Sequence, residues 1–213
     1  MKKLFILAIV PLLLFTSCIE IFEEVTVNKD QSGKVLIGID LGDIGKLLNK
    51  VGDYIDTKFL DEIKSLPKQA TQILKDTEGI NKIKSVTSDA KGVYSFSFEF
   101  ENTKDLNRAY YELMNYEKKW YAPKIIKVGK NIVKKRNVAP FIRMYVKRKQ
   151  SMIKDMKILE YITYKSTFKF PREVKKNKNP MYKVDSSKRN LVYKCTLDEL
   201  INSKIDIGTK IRY

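Results

Sequence analysis

The sequence contains no histidine, and only two of its 213 residues are cysteine. Without histidine, Ser-His and Cys-His catalysis and His-ligated metal sites are excluded. Two cysteines cannot build the disulfide framework of a stapled secreted domain. No apolar run reaches the eighteen or so residues a membrane-spanning helix requires. No glycine-rich loop, internal repeat or low-complexity segment occurs either. Adjacent acids are scarce on the early elements: Glu23/Glu24 and Asp61/Glu62. Neighbouring side chains on a strand or helix diverge, so neither pair converges on one substrate atom and no enzyme is expected. No cofactor and no metal site is expected.

What is present begins with a targeting segment. Lys2 and Lys3 precede an uncharged apolar stretch, Leu4 to Phe15, and then Thr16, Ser17 and Cys18. A basic start, a short apolar core and a small-residue exit describe a cleaved export signal. Leu14-Phe15-Thr16-Ser17-Cys18 resembles the lipobox of bacterial lipoproteins. That resemblance implies cleavage after residue 17 and lipidation of Cys18. Diacylglyceryl and amide-linked acyl chains together exceed what stable membrane anchoring takes. The alternative is a plain cleaved signal with an incidental cysteine. With Cys18 lipidated, Cys195 has no disulfide partner and reads as a buried thiol beside Leu191 and Tyr193. Residues 18–213 are then a single domain, carried on a membrane of the cell envelope.

Charge divides this domain. Residues 19–117 carry 13 Lys+Arg against 18 Asp+Glu, and residues 118–213 carry 27 against 7. Between Lys118 and Lys154 there are 13 basic residues and no acid. For an exported chain the available polyanions are lipid head groups and acidic envelope proteins, so nucleic acid is not an expected partner. Lys134, Lys135, Arg136, Arg143, Lys147, Arg148 and Lys154 are the candidate anionic-surface residues. The alternative is a solvated lysine-rich face with no partner.

Periodicity supplies the elements. Ile21, Val25 and Val27 alternate with Glu24 and Thr26, and Val35, Ile37, Ile39 and Leu41 alternate across the turn Asn28–Gly33, which reads as a hairpin. A calcium loop is not expected there, because its twelfth position would be Ile39 rather than a carboxylate. Helical spacing runs from Ile44 to Leu66, and Pro67 is expected to separate a second helix ending near Thr77. Tyr94, Phe96, Phe98 and Phe100 form the apolar side of a second hairpin. This aromatic row also suggests an alternative function, a carrier holding an apolar ligand between sheet and helices. Thr103 is expected to cap a helix ending near Trp120, and 124–135 reads as one strand. Residues 140–156 fit a basic interfacial helix, with a strand as the alternative. Lys175–Pro180 reads as a polar loop, with strands at 159–170, 182–184, 191–195 and 205–213, and a helical turn at Asp198–Asn202. The expected fold is α+β, an antiparallel sheet built from hairpins with helices packed on one face.

Several of these segments carry a further likeness: Cys18 leading into an acidic strand, the Asn28-Lys29-Asp30-x-Ser32-Gly33 turn, Asp40-Leu41, Phe168-x-Phe170-Pro171-x-x-Val174-Lys175, and Leu197-Asp198-x-Leu200. Together they resemble a group of envelope lipoproteins from Bacteroidota-type bacteria. They are more distantly similar to the LppM-type lipoprotein domain, a sheet-and-helix fold discussed as lipid-binding. These resemblances imply location and architecture, and no activity.

Overall fold

The structure is a computed structural model, and it describes residues 19–42, 58–116, 122–148 and 156–213. The period-two segments form a seven-stranded sheet. β1 (Ile19–Val27) and β2 (Gly33–Asp40) make the first hairpin, and β3 (Ile80–Ser88) and β4 (Val93–Phe100) the second. Two hydrogen-bonded strands beyond these, β7 (Ile162–Lys169) and β10 (Asn190–Thr196), and the short β9 (Lys183–Val184) complete the order β3-β4-β2-β1-β7-β10-β9. All its pairings are antiparallel except β1 with β7, which is parallel.

Register converts alternation into a core. Phe98, Val35, Val25, Phe168 and Leu191 are successive partners across five strands, and each is fully buried. Four residues away along β1, Tyr94, Ile39, Ile21, Tyr164 and Cys195 form a second apolar rung on the same side. On the opposite side Gly38 leaves space for the Phe22 ring; a Cβ there would lie 2.5 Å from it.

A smaller second sheet covers the inner side. It contains β5 (Ile126–Gly129), β6 (Ile132–Lys135), β8 (Lys176–Asn177) and β11 (Thr209–Arg212), in the order β5-β6-β11-β8. Ile126, Val128, Val133 and Ile211 join the same core. α1 (Lys58–Leu74) packs on β3 and β4, and α2 (Thr103–Leu113) contacts α1, β3, β4 and β5. α3 (Ala139–Arg148) packs on α4 (Leu197–Asn202), which closes over β7 and β10. The expected α+β architecture is present; the parallel β1–β7 pairing and the separate second sheet are additions to it.

Several local expectations change. Pro67 lies inside α1 because it falls on the buried stripe Leu60, Ile63, Pro67, Ala70 and Leu74, while Leu66 faces out at 45% exposure. Packing of that stripe offsets the backbone bond a mid-helix proline forfeits. Residues 43–57, where the first part of the helical pattern fell, lie outside the described residues. Asn102, not Thr103, caps α2, accepting from the Lys104 and Asp105 amides. Thr103 instead donates to the Val128 carbonyl and accepts from its amide, tying α2 to β5. The helix ends at Leu113, before Asn115 with φ 48°, a left-handed position that Asn adopts more readily than most residues. Residues 124–135 are not one strand but the β5–β6 hairpin, turning at Lys130-Asn131. Lys175–Pro180 holds β8, paired to β11. The ambiguous stretch from Pro140 is helical through Arg148.

Buried Asn107 joins α2 to the second sheet. Its side-chain oxygen accepts from the Ile125 and Ile126 amides, and its amide donates to the Thr103 and Ile126 carbonyls. Every polar valence of this side chain is thus used inside the core, the condition for burying an amide at low cost.

Candidate anion-binding face

β6 separates two neighbouring lysines. Val133 and Lys135 point into the core, so Lys134 points out, on the side where Arg136 is also exposed. The register then sets Lys134 between two other lysines, Lys127 on β5 and Lys210 on β11. One step along, Arg212 faces Lys176 on β8. The Lys178 amide donates to the Lys210 carbonyl at 3.1 Å, which holds Lys178 beside the same row. Like charges directly opposed across strands oppose sheet formation. Here three such pairs share one outer face, and none of their cations forms an ion pair among the described residues. The crowding registers on Lys210, whose pKa is pulled below its ordinary value chiefly by Lys134, then by partial desolvation, Lys178 and Arg212.

Beneath this face lies a buried ionic cluster. In the rung between the two apolar ones, Phe96, Ile37, Glu23, Ser166 and Tyr193 are partners. Glu23 therefore faces the core, where it pairs with Lys135, whose side chain is only 1% exposed. Lys135 also donates to Tyr164 at 3.0 Å and Ser166 at 2.9 Å. Tyr110 from α2, Tyr164 and Ser166 in turn donate to the Glu23 carboxylate. All three ammonium protons have acceptors and both carboxylate oxygens have donors. Burial alone would raise the Glu23 pKa, but the Lys135 charge and these hydrogen bonds hold it below the usual value. For Lys135, burial acts downward and the Glu23 charge outweighs it, raising the pKa well above normal. The pair joins the two sheets and the tyrosine of α2 at one point. The Lys135 ammonium is taken up by Glu23, Tyr164 and Ser166.

Lys135 is accordingly removed from the anionic-surface set: strand alternation turns it inward and Glu23 holds it there. Arg143 is half-buried and donates to the Ile205 carbonyl at 3.3 Å, so its guanidinium is partly committed to the fold. Lys147 and Arg148 belong to the last turn of α3, and Cys18 and Lys154 lie outside the described residues. Of the expected set, Lys134 and Arg136 reach the outer side of β6 exposed. Lys127, Lys176, Lys178, Lys210 and Arg212 were not in that set. The pairing of Lys127 with Lys134 was legible only once the Lys130-Asn131 turn is recognised. The neighbours on β8 and β11 carry no local signal. The aromatic row Tyr94–Phe100 is packed in the core, each ring no more than 8% exposed.

No family model matches the chain, and none of the curated proteins does. Among solved structures, the NMR structure of the folded domain of LppM from Mycobacterium tuberculosis is distantly similar. The likeness covers 92% of this chain and 90% of that one, with 11% identity and a TM-score of 0.40. No helix among the described residues is long and apolar enough to cross a membrane.

Proposed function

We propose that this is a lipid-anchored protein of the cell envelope, non-enzymatic, whose second sheet docks on an anionic lipid surface. The observation that carries this reading is the row of cations opposed across β5, β6, β11 and β8, none of them ion-paired among the described residues. A fold that places like charges in register without acids between them bears a cost in isolation. An anionic surface removes that cost. Each Lys or Arg near such a surface contributes on the order of 1 kcal/mol, and the attraction decays within a Debye length of about 8 Å at physiological salt. The Cys18 anchor supplies residence at the membrane, and the basic sheet then sets which side of the domain faces it.

The test uses residues 18–213 with Cys18→Ser, so that neither acyl chains nor the apolar signal segment report binding. It is expected to co-sediment with vesicles containing phosphatidylglycerol, not with neutral phosphatidylcholine vesicles, and to be released by high salt. Equal pelleting with both vesicle types, or with neither, overturns the proposal.

A further inference from the structure

The edge of the basic face opens into a cleft of about 690 Å³ between β6, β11 and the loop after β8. Lys134, Lys178 and Lys210 line it, with Asp206 as the acid on its wall. The three lysines are not a chance gathering of long side chains. Lys134 and Lys210 are register partners, and the Lys178 amide is bonded to the Lys210 carbonyl, so their backbones are contiguous on three adjacent segments.

The floor of the cleft is already satisfied. Asn179 donates to the Asp206 and Gly208 carbonyls at 2.7 and 2.9 Å and accepts from the Met181 amide. Thr209 donates to Asn177, and the Asp206 carboxylate accepts from the Gly208 amide at 2.6 Å. Gly208 is closely enclosed: a Cβ there would lie 2.7 Å from the Asn137 amide nitrogen. The loop is thus stitched in place, and the ammonium groups of Lys134, Lys178 and Lys210 form no ion pair among the described residues. Lys135 also lines the cleft, but Glu23 takes up its charge, so the other three cations against the Asp206 carboxylate leave a surplus of two.

We infer that this cleft is a binding site for a single phosphate monoester group, held by Lys134, Lys178 and Lys210. The inference rests on the anionic-surface reading and narrows it to one point of contact. A phosphate monoester carries about −1.5 to −2 charge near pH 7 and three acceptor oxygens, which matches both the surplus and the number of donors. A lipid phosphodiester brings only one negative charge. The lowered pKa of Lys210 is consistent with a site short of its counter-charge. The group can come from a membrane head group or from a free phosphorylated solute.

Two probes separate these sources and separate this inference from the one it rests on. Inorganic phosphate is titrated into the same Cys18→Ser protein, residues 18–213, at constant ionic strength, followed by lysine side-chain NMR shifts. Saturable shifts at Lys134, Lys178 and Lys210 are expected. Lys178→Gln should weaken binding about tenfold, as for loss of one charge-assisted hydrogen bond. Lys127→Gln, on the same face but outside the cleft, should weaken phosphate binding clearly less than Lys178→Gln does, because its charge acts on the cleft only through space. Vesicles of phosphatidic acid, matched in surface charge to phosphatidylglycerol vesicles, give the second arm. Preference for phosphatidic acid that is lost in Lys178→Gln supports a lipid source; saturable phosphate binding without that preference supports a free solute. Non-saturable shifts, or equal losses in the Lys127 and Lys178 variants, overturn the cleft even where anionic vesicles still bind. Saturable phosphate binding without any vesicle binding overturns the docking reading and leaves the cleft standing.

Discussion

Both sheets turn lysines outward, and they treat them differently. On the seven-stranded sheet each of several lysines meets an acid: Lys165 and Lys194 both reach Glu20, Lys169 reaches Glu24, and Lys82 reaches Glu99, at 2.7–3.4 Å. On the four-stranded sheet Lys127, Lys134, Lys176, Lys210 and Arg212 face one another with no acid between them. A lysine-rich composition alone would decorate both faces alike. The contrast shows that neutralisation is available to this chain and, among the described residues, is absent from one face, which is why that face is read as a binding surface.

The largest expected effect lies where the two sheets are joined. Lys135→Met leaves Glu23 charged and buried, and should cost about 3–5 kcal/mol in urea unfolding, the range for breaking a buried pair. Adding Glu23→Gln should recover part of that loss, because the amide still answers the hydroxyls of Tyr110, Tyr164 and Ser166 without a charge. If the single and double variants are equally unstable, the pair is not what joins the sheets.

The same pair sets a pH window. Glu23 is depressed from 4.5 in the folded state, so its stabilisation is present above that value and is lost as pH falls through the folded pKa. Lys135 is raised above 10.5, so its share is complete below that value and is lost as pH climbs through the folded pKa. Unfolding midpoints measured across pH should therefore fall off at the acid end, and Glu23→Gln should flatten that limb. An unchanged acid limb in the variant would assign it to other carboxylates.

The smallest effects compare the outer faces directly. Lys134→Glu sets an acid between Lys127 and Lys210 and should stabilise the protein by roughly 0.5–1 kcal/mol at low salt, fading as salt rises. Lys169→Gln, on the paired face, should destabilise it by about 0.2–1 kcal/mol. If both variants shift stability in the same direction, the two faces do not differ electrostatically as described.

Much of this architecture is legible from periodicity. The alternation of Val35 to Leu41 and of Tyr94 to Phe100 marks two hairpin strands and their buried sides without reference to anything distant. Glu23 was legible in part: it stands in the inward position between Ile21 and Val25, where an apolar residue is expected. Its partner was not, because Lys135 comes from a strand 112 residues later. Pro67 misled for the opposite reason. A local breaking signal was overridden by packing of the stripe on which the proline itself sits.

Sequence by itself determined the periodicities, the absence of histidine chemistry and the segregation of positive charge into residues 118–213. Tertiary structure alone decided which of those charges are neutralised, buried or left bare. A period of two specifies on which side of a strand a residue lies, but not what lies opposite it. That is set by register between β6 and β11, whose paired residues are 74 to 80 positions apart, and burial of Val133 and Ile211 holds the register. Once those apolar side chains are inside, Lys135 must follow them in and find Glu23. Lys134 must face out, between two other lysines.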